Sequence, residues 1–396
     1  MGFHRKGPNV PKKIKHHSLT GRITLSLMFT AFRNVRRNRG AAGIDRESIA
    51  AFEINLEANL LALMRRLKEG TYKPLPLRRV YIPKGQGQKR PLGIPAVRDR
   101  VAQEVVRLLL SPLFERLFHD DSYGFRPGRN CHMAVDKVLE LHQQGYTHVL
   151  DADIKGFFDN LPHQVIMAGV AAEVADGNIL DLVERFLRAG VMEEGVFQPT
   201  TVGTPQGGVI SPLLANIALN SLDWRLHDAG FRFVRYADDF VVLCRTEVQV
   251  QEAHDLVQRH LTSLGLTLSA EKTKRTRFRE GFAFLGFVLS AWSVTMRPKA
   301  VEKFKAKVRE LTPRHHNLDA MVIRKLNSVI RGTANYFAPS FSSVGNLFRG
   351  LDRWIRMRLR CMKYKRKSRA DNGRFRLVHF RRLGLCFLSE LRRLPV

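Results

Sequence analysis

The chain has 396 residues, 44% of them hydrophobic, and a formal net charge of +30 with an isoelectric point near 10.7. That length is too great for one small core, and that apolar fraction excludes wholesale disorder. Residues 1–40 hold ten Lys/Arg and no acid, and residues 351–396 hold fifteen against three, so two basic ends point to nucleic acid rather than to a merely solvated surface.

In chain order, residues 1–20 read as a flexible basic tail. The spacing of Ile23, Leu27, Phe29 and Phe32 predicts a helix over 22–38, stopped by Gly40 and Gly43. A second amphipathic helix is expected over 48–69, ended by Gly70. Val80 and Ile82 begin a short strand, KGQGQK turns it, and RPLGI returns, giving a hairpin within 77–95. Residues 99–118 read as helix, 147–154 as an apolar strand and 164–190 as helices. A glycine-marked turn then feeds a long helix within 204–230. FRFVRYADDFVVLCR reads as a hairpin, 248–264 as a helix, 282–290 as one strand and 293–297 as another. From Pro298 the pattern is helical and basic to the end. The fold class expected is α+β, with an all-α tail beginning near 298.

Four cysteines stand far apart without zinc-ligand or redox spacing, which fits a reduced, cytosolic chain. No apolar run reaches membrane-spanning length. Pro8, Pro11 and the Lys/His cluster interrupt any signal-peptide core.

The chemistry is concentrated in carboxylates. RYADDFVVL (235–243) sets Asp238 beside Asp239 between apolar runs. Alone, such a string reads as an exposed turn. A second segment, VLDADIKGFFD, carries Asp151, Asp153 and Asp159, and Asp153 lies within an apolar strand. An acid there is costly unless paired or metal-bound. Two strands with acids at one sheet level would gather Asp153, Asp238 and Asp239, and such a cluster calls for cations. Hard Mg²⁺, held by carboxylates and substrate phosphates, suits it. Two such ions can activate a 3′-hydroxyl and stabilise a leaving pyrophosphate; the same chemistry would serve a nuclease.

The surrounding motifs narrow this. YADD (236–239), DADIKGFFDN (151–160), GTPQGGVISPLLANIALN (203–220), IPKGQGQKRPLGIP (82–95), SYGFRPGRN (122–130), LSAEKTK (268–274) and FLGF (284–287) together resemble the ordered blocks of group II intron reverse transcriptases, or maturases. LNSVIRGTANYF (326–337) and LDRWIRMRLR (351–360) resemble that family's thumb, with Thr333 where an aromatic residue is usual. The resemblance covers roughly 25–390. It implies a right-hand polymerase: a basic arm and extension helix over 1–40, fingers over 41–145, a palm over 146–297 and an α-helical thumb over 298–396.

Carried over residue by residue, the resemblance makes Asp153, Asp238 and Asp239 the metal ligands, with the Ile154 carbonyl as a further one. They would hold two Mg²⁺ ions, with Mn²⁺ as an alternative. Phe158 would be the steric gate against a 2′-hydroxyl, while Phe157 reads as core. Lys84 and Arg90 would grip the triphosphate. Gln206 and Gly207 would lie under the nucleotide, and Lys272 would neutralise or protonate pyrophosphate. Leu285 and Gly286 would form the primer grip, and Tyr236 and Ala237 would seat the acids under the primer end. Arg126 and Arg129 would meet template phosphates. Arg353, Arg356 and Arg360 would line one face of a basic thumb helix.

The implied activity is RNA-directed DNA polymerisation by a protein that binds structured intron RNA, assists its splicing and copies it during retrohoming. The partners implied are group II intron RNA or another RNA template, a DNA primer or target, and deoxynucleoside triphosphates, with no membrane. A homodimer is compatible with it. The place implied is the bacterial cytosol or nucleoid. No metal-ligand spacing follows the thumb motifs, so second-strand DNA cleavage is not expected. Two alternatives stand beside this reading. One is a domesticated relative acting in DNA repair, phage defence or CRISPR spacer acquisition; the other is a non-catalytic RNA-binding splicing factor.

Overall fold

The computed structural model describes residues 15–85, 88–204 and 207–391. Helices form where apolar spacing allows one-sided burial. Thr24 caps the helix Leu25–Asn38 by accepting from the Leu27 N–H at 3.2 Å. Its inward stripe is Met28, Ala31, Phe32 and Val35, rather than the expected Leu27 and Phe29, because these four keep the helical period into the core. The helix expected over 48–69 is two, Ile49–Ile54 and Leu56–Lys68. They break at Asn55, whose φ of −116° and ψ of 46° leave the helical region.

The described strands are β1 (Leu77–Gly85), β2 (Gln88–Ile94), β3 (His148–Asp153), β4 (Val191–Glu193), β5 (Val196–Gln198), β6 (Arg232–Tyr236), β7 (Asp239–Cys244), β8 (Lys274–Arg277), β9 (Phe282–Phe284), β10 (Phe287–Leu289) and β11 (Val294–Met296). They form three sheets, ordered β2-β1-β4-β5, β6-β7-β3-β8 and β11-β10-β9. The single strand expected over 282–290 is in fact the hairpin β9–β10. Leu285 and Gly286 turn it, both at positive φ (46° and 84°).

The chain divides into two compact units. One comprises Met1–Asn130, Ala152–Val242 and Gln251–Thr273; the other comprises Cys131–Asp151, Leu243–Val250 and Lys274–Val396. The boundary expected near 298 therefore falls inside the second unit. The reason is local packing: Met296 of β11 belongs to the helical core, and the Ser343 N–H donates to the Val294 carbonyl at 2.7 Å.

At the centre of the first unit is the helix Val97–Glu115, buried along most of its length, including Asp99, Arg100, Gln103 and Glu104. The second unit packs the helices Pro298–Leu311, Ala320–Phe337 and Gly345–Tyr364 around Phe304, Val308, Ile330, Phe348 and Ile355. Each such side chain, fully buried, contributes about 1.5–3 kcal/mol. Trp354 lies against this core. Asp352, buried among apolar neighbours, accepts from the Leu388 N–H at 2.8 Å, the Ser389 N–H at 3.0 Å and the Ser389 hydroxyl at 2.6 Å. Those bonds tie down the short turn Leu388–Glu390. None of the four cysteines forms a disulfide. Among the described residues no helix is long and apolar enough to cross a membrane.

Candidate polymerase site

The first unit sets its acidic pair on two backbone features. Strands β6 and β7 are joined by a two-residue turn, Ala237–Asp238. Ala237 is buried and has a φ of 59°, a left-handed conformation that costs a non-glycine residue about 1–2 kcal/mol. Gly124 lies directly against this turn: a Cβ there would come within 2.3 Å of the Ala237 nitrogen. The second feature is the end of β3. The Asp153 carbonyl accepts from the Ser269 N–H at 2.8 Å, and the Asp153 N–H donates to Thr273 Oγ1 at 3.3 Å. Ile154 continues the pairing through a bridge to Leu268.

The Asp238 carboxyl senses the charge of Asp153. Burial pushes the Asp238 carboxyl above the usual aspartate range, and the neighbouring Asp153 charge adds to the rise. Arg90 and Lys272 oppose it. Lys272 Nζ lies 3.1 Å from Asp153 Oδ2 and 3.3 Å from Oδ1. Two carboxylates in mutual repulsion, with cationic side chains drawn toward them, form a hard-oxygen donor set that fits a divalent cation completed by substrate phosphates.

Among the described residues no group of three or more His, Cys, Asp or Glu side chains is arranged to hold a metal. Asp238 occupies the turn while Asp239 opens β7 and is exposed, so the two neighbours are held differently by the backbone.

Phe158 is half-buried and meets Phe157 edge-on at 5.3 Å, while Phe157 is buried as core. Gly207 has a φ of 117°, and a Cβ there would meet the Gly93 carbonyl at 2.5 Å; only glycine allows this approach to β2. Tyr236 is half-buried, its ring 6.4 Å from that of Phe125. The Lys84 side chain and Gln206 lie outside the described residues.

Three of the expected arginines are held by the protein itself. Arg126, expected on template phosphates, is buried. It donates to Glu115 Oε1 at 3.0 Å, to the His119 carbonyl at 2.6 Å and to the Ser122 carbonyl at 2.7 Å. Arg129 turns back onto Asp120, with Nη2 3.0 Å from Oδ1. Arg360 donates to the Phe375 carbonyl at 2.9 Å and lies over the Phe380 ring. Helical spacing places an arginine on a face but does not reveal a carbonyl within its reach. Arg353 is exposed, and it lines a cavity of about 460 Å³ with Arg349 and Arg356.

In the second unit, the Tyr336 hydroxyl donates to the Leu285 carbonyl at 2.9 Å, and the Tyr336 ring stacks on Phe287. The strained Leu285–Gly286 turn is thus held by the helix Ala320–Phe337. Thr333 turns its hydroxyl to the Val329 carbonyl at 2.8 Å.

Sequence reasoning missed the group beneath the acidic turn. Arg235 is fully buried. It donates to Asp223 Oδ1 at 2.7 Å, to Asp223 Oδ2 at 2.5 Å, to Asn216 Oδ1 at 2.9 Å and to the Ala237 carbonyl at 2.8 Å. Asn216 Nδ2 donates onward to the Gly124 carbonyl at 2.8 Å. Asp223 and Asn216 come from the helix Ser211–Asp228. The signal was present: a charged residue between Val234 and Tyr236 inside an apolar strand, and acid and amide one helical face apart. Gln103 was missed too; its Oε1 accepts from the Val209 N–H at 2.8 Å and pins the segment after Gly207.

Residues 82–289 match the reverse transcriptase (RNA-dependent DNA polymerase) family, and residues 301–379 match the group II intron maturase-specific domain. The chain belongs to the reverse transcriptase family, in its group II intron maturase branch. It is 36% identical over 283 residues to Protein YkfC of Escherichia coli (strain K12), covering 62% of this chain and 74% of that protein. Over 251 residues it is 36% identical to group II intron-encoded protein LtrA of Lactococcus lactis subsp. cremoris. That match spans 63% of this chain and 40% of LtrA. Among solved structures it is similar to a chain of a Cas6-RT-Cas1–Cas2 complex, with a TM-score of 0.40 and 23% identity, over 63% of this chain and 42% of that one.

Proposed function

We propose that this chain is an RNA-directed DNA polymerase that adds deoxynucleotides to a primer at Asp153 and Asp238, and that its basic helical unit binds structured intron RNA. The observation that carries the reading is the electrostatic coupling of Asp153 and Asp238, with Lys272 drawn onto Asp153. A pair of acids held this way is expensive in a chain with no use for a cation.

Asp153 and Asp238 would hold Mg²⁺, with the Ile154 carbonyl and Asp239 as further oxygen donors. When bound, the metal supplies Lewis-acid stabilisation of phosphate charge and a more acidic primer hydroxyl. The remaining work falls to the chain's own residues. Arg90 balances the negative charge of an incoming triphosphate. Phe158 would exclude a ribose 2′-hydroxyl with its aromatic face. Lys272, released from Asp153, would neutralise the departing pyrophosphate. The Leu285–Gly286 turn would hold the primer strand, and the Arg349, Arg353 and Arg356 cluster would take RNA phosphates. Splicing assistance and retrohoming follow from binding and copying the same RNA.

Primer extension on an RNA template tests this. The reading expects extension with Mg²⁺ and deoxynucleotides, and loss of extension when the metal is chelated. RNA binding that persists with no extension under any divalent metal would leave an RNA-binding splicing factor in its place.

A further inference from the structure

Tyr336, which holds the Leu285–Gly286 turn through its hydroxyl, is itself held. Its backbone carbonyl accepts from His132 Nε2 at 2.7 Å. That carbonyl is among the last four of the helix Ala320–Phe337, which find no partner within the helix, and Pro339 brings no N–H to supply one. A carbonyl only accepts, so the His132 proton sits on Nε2. His132 stands at the start of the helix Cys131–Gln143, 204 residues away in the chain.

The rings around this bond form one cluster. The His132 ring lies 5.5 Å from that of Tyr336, 6.3 Å from Phe287 and 6.2 Å from Phe341. Phe287 opens β10 and lies 5.7 Å from Tyr336 and 5.2 Å from Phe337. Gly286 rests against the same rings: a Cβ there would meet those of Tyr336 and Phe337 at 3.6 Å. The Gly286 carbonyl accepts from the Arg297 N–H at 3.0 Å.

Packing alone asks only for a ring at position 132. The fold puts there a ring with a donor, and the donor meets the residue that holds the turn. Leu285 has a φ of 46°, a conformation that a non-glycine residue keeps only where its surroundings fix it. His132, Leu285, Gly286 and Tyr336 are all half-buried, so the cluster borders the surface instead of closing a core.

We propose that His132 is a positioning residue for the primer strand. It fixes Tyr336 through the carbonyl, Tyr336 fixes the Leu285–Gly286 turn through the hydroxyl, and the turn seats the primer backbone. The inference rests on the reading of that turn as the element that holds the primer. It gives His132 no contact with nucleic acid and no part in the chemistry.

Binding of a DNA primer annealed to an RNA template, read by fluorescence anisotropy on the full chain in EDTA, tests it beside a single-stranded RNA of the same length. His132→Phe keeps the ring and removes the donor. Duplex affinity should fall about fivefold or more, the size of one lost hydrogen bond, while affinity for single-stranded RNA stays unchanged. Tyr336→Phe should lose as much, and the double variant no more than the worse single one, because both cut the same chain of contacts. His132→Gln, whose amide offers an N–H at similar reach, should restore most of the duplex affinity. Amide exchange in peptides spanning 282–289 should quicken in His132→Phe, with exchange in the helix Pro298–Leu311 unchanged. His132→Asn, too short to reach the carbonyl, replaces the Phe variant if that protein does not fold. Wild-type duplex affinity in the variant lacking the donor overturns the proposal. So does an equal loss on single-stranded RNA, a His132→Gln protein as weak as His132→Phe, or a wild type that does not bind the duplex. The assay needs no chemistry, so a wild type that binds the duplex and never extends it removes the polymerase reading and leaves this one standing.

Discussion

Arg235 donates to the Ala237 carbonyl at 2.8 Å while its guanidinium is clamped by both oxygens of Asp223. The residue that gives the turn its left-handed bend is therefore fixed from below by a buried ion pair. Arg235→Lys keeps the charge but loses the planar fork. We expect extension to fall at least tenfold, because small misplacements of reacting groups cost up to about 10²-fold. The Km for deoxynucleotide should change less than kcat. Asp223→Ala leaves a buried guanidinium unpaired and should cost about 3–5 kcal/mol of stability, read by denaturant unfolding. Wild-type kcat in a folded Arg235→Lys protein would contradict the positioning role.

Asp238 carries a raised carboxyl pKa. A folded pKa above the unfolded one means that stability present below the unfolded pKa is lost as pH rises through the folded pKa. Asp238→Asn should therefore raise the melting temperature at neutral pH, and the gain should vanish below about pH 4, where aspartate is protonated in both states. Mg²⁺ should stabilise the wild type by mass action and stabilise Asp238→Asn less. A lower melting temperature for Asp238→Asn at pH 7 would refute the assigned origin of the shift.

Much of this site was legible in the sequence, and the illegible part has a physical cause. Asp153 stands out because charge inside an apolar strand is expensive, Asp238 because a second acid beside Asp239 exceeds what a turn between apolar runs needs, and the glycines at 207 and 286 mark backbone that others cannot adopt. The fate of Arg126 and Arg360 was not legible, because a carbonyl that captures a guanidinium comes from chain brought close only by folding. For the same reason the β9–β10 hairpin was hidden within an apolar run, its turn held by Tyr336 from about fifty residues away.

Phe158→Ala tests the gate. Ribonucleotide incorporation on an RNA template should rise at least tenfold relative to deoxynucleotide incorporation, with Phe157→Ala instead lowering stability by about 3–5 kcal/mol as a core truncation does. Unchanged sugar discrimination in Phe158→Ala would remove it from the nucleotide site.

The arginines should separate by readout. Arg126→Ala loses hydrogen bonds from a charged, buried group and should destabilise the fold by more than about 2 kcal/mol. Arg353→Ala should leave stability within about 0.5 kcal/mol and reduce the salt dependence of RNA binding by close to one phosphate contact. An unchanged salt slope in Arg353→Ala would assign its charge to the solvated surface.

The central claim is that Asp153 and Asp238 act together in nucleotidyl transfer on an RNA template. Single-nucleotide incorporation into a DNA primer annealed to RNA, with Mg²⁺, tests it most directly in the wild type, Asp153→Asn and Asp238→Asn. The account predicts incorporation by the wild type and a loss of at least about 10³-fold in each variant, equivalent to roughly 4 kcal/mol of transition-state stabilisation, with RNA affinity unchanged. Incorporation by either variant within tenfold of the wild type would contradict it.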